Sequence, residues 1–218
     1  GVVYDNFLSN PLRAEKICDE IKERKLDFYW FCEGRVNEIN SILMEKMKAV
    51  GCQTIYFGIE SGSEKILKYY NKNITPSQSI KAVNAAKKTG MNIVGSFIVG
   101  APVETKSEVV ENLDLIRKLG VDVPQINILS VNPGTALWNE MILKNSEIGN
   151  YWKTGIQPVK IGMCEYSYEW LNDAVNDTYK KILFSPSFLS HQTIKSLTDP
   201  YRLKMIKKMA GLGSYKKS

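Results

Sequence analysis

The sequence predicts an α/β fold in which a parallel sheet is wound with helices, and three observations predict it. Short runs rich in β-branched and aromatic residues alternate with longer segments whose apolar residues recur at helical spacing. Five such alternations, in units of roughly 25 to 40 residues, call for right-handed strand–helix–strand crossovers. Every run also ends in a polar cluster. In a parallel sheet these clusters share the carboxyl edge, where loops are free of core duty and helix N-termini present their N–H groups.

Taken in order, Val2–Tyr4 reads as a first strand ending in Asp5-Asn6, and a chain that opens inside a buried strand reads as a piece of a longer one. Ser9-Asn10-Pro11 supplies a cap and a first-turn proline for a helix with Ala14, Ile17, Cys18 and Ile21 on one stripe. The second strand, Phe28 to Phe31, is expected to end in the loop Cys32-Glu33-Gly34-Arg35. Its helix is expected to carry Ile39, Ile42, Leu43, Met47 and Val50 on one face and to stop at Gly51. Arg35 suits a carboxylate or phosphate ligand, or an ordinary surface ion pair. Cys18 and Cys32 read as packed thiols, since no histidine or second cysteine is spaced to activate them.

The third strand, Thr54 to Gly58, runs into Gly58-Ile59-Glu60-Ser61-Gly62-Ser63, and Glu60 and Ser61 are the first functional candidates of the chain. A helix from Ser63 is expected to fray around Tyr69 to Asn73. Thr75-Pro76-Ser77-Gln78 is a capping box opening a helix that ends at Gly90. The fourth strand, Ile93 to Val99, leads to Gly100-Ala101-Pro102-Val103-Glu104-Thr105. Thr105 to Glu108 is a second capping box, with Val109, Leu113 and Ile116 on the apolar stripe and Gly120 at the end. Glu104 is a site candidate, or an acid favoured simply by the helix N-terminus beside it. The fifth strand, Gln125 to Leu129, ends in Ser130-Val131-Asn132-Pro133-Gly134-Thr135, a turn at the same edge.

After Trp138 the pattern changes, so residues 1–138 are read as the α/β unit and 139–218 as an irregular segment with a C-terminal helical extension. Tyr168 to Phe184 reads as a helix, and two short helices follow Pro186 and Pro200. His191, the only histidine, has no acid or cysteine near it in sequence and reads as structural.

The 218 residues are 44% hydrophobic and 24% charged, the composition of an ordinary globular protein. No run approaches the roughly 20 apolar residues of a membrane span, and no signal peptide opens the chain, which points to the cytoplasm. The net charge of +6 is carried by the stretch from Tyr201, where Arg202, Lys204, Lys207, Lys208, Lys216 and Lys217 stand with no acid. The remainder is balanced, so a nucleic-acid footprint is absent, and the tail is a solvated face or a local electrostatic contact. Cys18, Cys32, Cys52 and Cys164 form neither a disulfide framework nor a Cys-x-x-Cys pair, so no metal ligands are assigned.

Taken together, the edge motifs resemble the radical S-adenosylmethionine superfamily, most closely the branch that often carries a cobalamin-binding domain ahead of its barrel. The residues that carry the likeness are Tyr4-Asp5-Asn6-Phe7, Cys32-Glu33-Gly34-Arg35, Gly58 to Ser63, Gly95 to Pro102 with Glu104-Thr105, Pro133-Gly134-Thr135, and Tyr179 through Pro186. The resemblance implies a partial (β/α)6 TIM-like barrel lacking its first βα unit. It implies S-adenosylmethionine as cofactor, with Asp5 and Asn6 facing its amino group, Glu60 and Ser61 its methionine or ribose groups, and Arg35 its carboxylate. The backbone from Gly100 to Pro102 would approach the adenine. The Cys-x-x-x-Cys-x-x-Cys that holds a 4Fe–4S cluster in such enzymes is not in this sequence, and Val103 stands where glycine is usual. The expectation is therefore a fragment that is inactive alone, with cluster ligands in a missing N-terminal segment, where a cobalamin domain would also lie. An α/β barrel that binds an anionic metabolite, and a non-catalytic interaction domain, stay open as alternatives.

Overall fold

The computed structural model describes residues 6–209, with side chains through Lys204. The expected strand Val2–Tyr4 and Asp5 lie outside the described residues. Four parallel strands, β1 (Trp30–Gly34), β2 (Cys52–Glu60), β3 (Asn92–Val99) and β4 (Val123–Ile128), form one sheet in chain order. The helices α1 (Pro11–Glu23), α2 (Ser41–Ala49), α4 (Pro76–Lys88) and α5 (Lys106–Leu119) make the crossovers, and a short α3 (Glu64–Tyr69) precedes α4. Then come α6 (Ala136–Lys144), α7 (Tyr168–Leu183), α8 (Pro186–Thr198) and α9 (Pro200–Met209). Thus α/β class and strand direction follow the sequence expectation.

The helix starts are chemically explicit. Asn10, Asn40, Ser63, Thr75, Thr105, Thr135, Ser167 and Ser185 each accept a backbone N–H of the turn they open. The boxes at Thr75/Gln78 and Thr105/Glu108 are both closed in both directions.

Among the differences from the sequence reading, two bear on the core. Strand β1 begins at Trp30 and continues to Gly34, because its pairing with β2 runs on to Gly34 opposite Phe57. Cys32 and Glu33 are therefore strand residues rather than loop, and Cys32 is buried. Ile42 sits on the solvent side of α2, 71% exposed, since the core face there is Leu43, Met44 and Met47.

Burial alternates along the strands, and this fixes the two faces of the sheet. Ile55, Phe57, Ile59, Ile93, Phe97 and Ile126 point into the core under the crossover helices. Phe31, Tyr56, Ile98 and Asn127 lie on the opposite face, which is only partly covered. Parallel sheets are ordinarily covered on both sides. One face of this sheet thus behaves as the wall of an interior, consistent with a barrel partly assembled.

The segment from 139 onward is not set apart from the sheet. Leu171, Val175 and Ile182 of α7, with Val159 and Tyr166, belong to the main core, and the boundary at 138 falls inside α6. A second small core gathers Val131, Trp138, Met141, Ile148 and Ile156. The Tyr179 hydroxyl accepts the Ile126 N–H at 2.8 Å, so α7 occupies a free ladder donor of the edge strand β4.

Candidate functional site

At the carboxyl edge the β2–α3 turn is built to hold one acid in a strained pose. The pairing of β2 with β3 slips between Gly58 and Glu60, a bulge that re-aims the end of the strand. Glu60 sits at φ +64°, a conformation that costs a non-glycine residue roughly 1–2 kcal/mol. The turn is over-determined around it. Asn112 of α5 accepts the Gly62 N–H at 2.9 Å, and Ser61 Oγ accepts the Ser63 N–H at 3.1 Å. A side chain at Gly62 would run into Leu115, 2.4 Å from where its Cβ would stand.

Glu60 opens onto a cavity of about 530 Å³ between the ends of β2, β3 and β4. Lys72 Nζ donates to Glu60 Oε1 at 2.9 Å and directs the carboxylate. Tyr69, Tyr70, Asn71, Ser130 and Asn132 supply further polar wall, and Ile98, Leu129 and Val131 the apolar wall. Asn71 is also at positive φ, +54°, where it ends α3 as a left-handed cap, the Lys72 N–H donating to the Leu67 carbonyl at 2.9 Å.

Beside the cavity, Glu104 is almost fully buried and braces the β3–α5 loop. Its Oε2 accepts the N–H groups of Gly100 at 2.7 Å and Ala101 at 3.4 Å, and its Oε1 has no hydrogen-bond partner. Glu104 thus holds the loop behind it rather than the α5 N-terminus. Burial pushes its pKa from the ordinary 4.5 up to about 7, against the pull of the two amides. Tyr70 and Tyr166 crowd it, and burial followed by the Glu104 charge raises both phenols.

The edge brings together the sequence candidates without putting all of them in one wall. Among the described candidates Glu60 lines the cavity. Ser61 is fully buried within the turn, and Arg35 is exposed just past β1, outside the cavity wall. Gly100, at φ +92°, is explained by its backbone and by Leu171 of α7, 3.1 Å from where its Cβ would stand; Pro102 follows in the turn. Asn6 has a buried Oδ1 with no hydrogen-bond partner among the described residues. Sequence reasoning missed Tyr69, Tyr70, Asn71 and Lys72, which read there only as a fraying helix end; the polar Tyr-Tyr-Asn-Lys run after a one-turn helix was the available signal.

No group of three or more His, Cys, Asp or Glu among the described residues is arranged to hold a metal ion. Cys18, Cys32 and Cys52 come near one another under α1, but they are buried. The neighbouring Cys32 thiol and then burial raise Cys52, and burial raises Cys18 to about 11. Buried neutral thiols of this kind are packing groups, not ligands.

The opposite edge is closed. Asp122, 3% exposed in its side chain, receives Lys195 Nζ at 2.9 Å on both oxygens, Arg202 at 2.9 Å and the Ile93 N–H at 2.9 Å. Burial works against its charge, but these donors outweigh it and hold the pKa below 3.8. Arg202 also reaches Asn92 and Gln192, so this part of the basic tail is an anchor rather than a solvated face. His191, read as structural, lies 3.5 Å from Asp122, an acid distant in sequence.

Fold and site together define an α/β, TIM-like partial barrel with a polar, charge-lined cavity at the carboxyl ends of its strands. Residues 3–116 match the family model described as the Radical SAM superfamily, and the chain belongs to that superfamily. It is 39% identical over 187 residues to an uncharacterised methyltransferase of Pyrococcus horikoshii, covering 85% of this chain and 40% of that protein. It is 23% identical over 204 residues to the bacteriochlorophyllide d C-8(2)-methyltransferase of Chlorobaculum tepidum, covering 93% and 41%. Among solved structures it resembles the radical S-adenosylmethionine methyltransferase TsrM of Kitasatospora setae, solved with cobalamin and a 4Fe–4S cluster, with a TM-score of 0.57 at 17% identity. That match covers 64% of this chain and 29% of TsrM. The chain therefore spans about 40% of the length of these curated relatives.

The donor set suits S-adenosylmethionine, whose amino group and ribose hydroxyls donate to a carboxylate and whose carboxylate seeks a cation. Glu60 and Lys72 are groups of these kinds. The same residues do not suit a 4Fe–4S cluster, for which thiolates are required.

Proposed function

We propose that this chain is the cofactor-binding portion of a radical S-adenosylmethionine enzyme whose reaction class is methyl transfer. The observation that carries the proposal is Glu60, held in a strained backbone by a buried turn and facing a cavity of cofactor size. Glu60 accepts from the amino or hydroxyl groups of the cofactor, and Lys72 directs it. Ile98, Leu129 and Val131 shield the apolar parts from water. The bound cofactor, with its iron–sulfur partner, supplies the radical or methyl chemistry; the residues here position it. The cluster thiolates are supplied by residues outside these 218, and the chain alone is inactive. The names of the relatives support methyl transfer, and the cobalamin of TsrM supports a corrinoid for the whole protein. Four free cysteines accord with a reducing compartment, and no helix among the described residues is long and apolar enough to cross a membrane.

Two measurements test this. Calorimetric titration with S-adenosylhomocysteine should show binding that weakens at least tenfold in Glu60→Ala. Anaerobic reconstitution with iron and sulfide should leave the chain without stable 4Fe–4S absorbance. Undiminished binding in Glu60→Ala refutes the site, and a stable cluster refutes the assignment of its ligands elsewhere.

A further inference from the structure

A second cavity, of about 400 Å³, lies far from the carboxyl edge, where the ends of α4 and α5 meet the junction of α7 and α8. Lys87, Arg117, Lys118, Lys181 and His191 line it, and no acidic side chain does. Arg117 is paired with Asp114 and Lys181 with Asp177, both on the exposed outer surface of their helices. Lys87 and Lys118 make no ion pair among the described residues. Lys87 donates to the Leu119 carbonyl, and partial burial holds its ammonium below the ordinary range against the pull of Asp122. Ser185 and Ser187 add hydroxyls at the start of α8. The floor is apolar, made by Ile116, Val121, Ile182 and Phe188.

Cations above an apolar floor select one chemistry. We propose that this cavity binds a small amphipathic anion, an apolar ring or short chain bearing a single phosphate, sulfate or carboxylate. The head group meets Lys87, Lys118 and the serine hydroxyls, and the body lies on Ile182 and Phe188. Such a ligand would also fasten α8, because Ser185, Ser187, Phe188 and His191 all belong to that helix or its cap. This site is independent of the cofactor cavity, which shares none of its residues.

The test is an amide chemical-shift titration of the full chain with phenyl phosphate, set against phenol and inorganic phosphate. Saturable shifts at Gly120, Ser187 and His191 are expected, with phenyl phosphate binding at least tenfold more tightly than either half alone. Lys118→Glu, an exposed change, should weaken it at least tenfold, and Lys181→Glu should do so independently. Absence of saturable shifts, shifts centred elsewhere, or affinity unchanged in both variants overturns the proposal.

Discussion

The two edges of one sheet are built on opposite principles. At the amino edge, Asp122 is buried with nearly every lone pair engaged by Lys195, Arg202 and the Ile93 amide, and α8 and α9 are pinned over the strand starts. At the carboxyl edge, Glu60 is strained, Asn6 and Glu104 keep an oxygen without a partner among the described residues, and a cavity stays open. The carboxyl edge thus keeps a strained acid open to a cavity, whereas the amino edge commits its buried acid to an ion-pair cluster.

The largest effect should come from the closed edge. Asp122→Asn leaves Lys195 and Arg202 without their counter-charge in a buried site, and should cost about 3–5 kcal/mol of unfolding free energy in a denaturant titration. The acid limb checks the sign. A carboxylate with a lowered folded pKa contributes its full stability above 3.8 and loses it as the pH falls below that value, so the variant should lose that acid dependence.

Glu104 should behave in the opposite way. Its folded pKa is raised, so the folded state holds a proton that the unfolded state has released, and stability falls as the pH rises from 4.5 to about 7. The fall is on the order of 3 kcal/mol, and Glu104→Gln should abolish it while keeping an acceptor for the Gly100 amide. If stability instead rises across that window, the carboxylate is ionised in the folded protein and the contrast between the edges fails.

Smaller changes refine the comparison. Tyr179→Phe removes the acceptor of the Ile126 N–H and should cost about 1–2 kcal/mol, read by the same titration. Glu60→Gly relieves the positive φ and should leave stability unchanged or raise it by about 1 kcal/mol, while weakening S-adenosylhomocysteine at least tenfold. A variant both less stable and unaltered in binding would make Glu60 a structural residue.

How far the sequence could be read follows the same division. Strand–helix alternation and capping are local, so Thr75/Gln78 and Thr105/Glu108 could be read directly, and the strand ends pointed to one edge. Glu60 was visible because it follows an uninterrupted apolar strand in a glycine-flanked turn. Lys72 was not, because its role arises from a return of the chain twelve residues later that no local pattern encodes. The Asp122 anchor was equally hidden, since its partners lie 73 and 80 residues away, and a basic tail has the same composition whether solvated or docked. The end of β1 was misplaced for a related reason: pairing with β2, not the residues of Cys32-Glu33-Gly34, decides where that strand stops.

The most direct test is to map S-adenosylhomocysteine onto the chain by amide chemical shifts. The account predicts saturable shifts at Glu60, Asn71, Lys72, Ser130 and Asn132, with Asn92, Asp122 and Lys195 silent. Shifts centred on the amino edge, or no saturable response at the carboxyl edge, would contradict it.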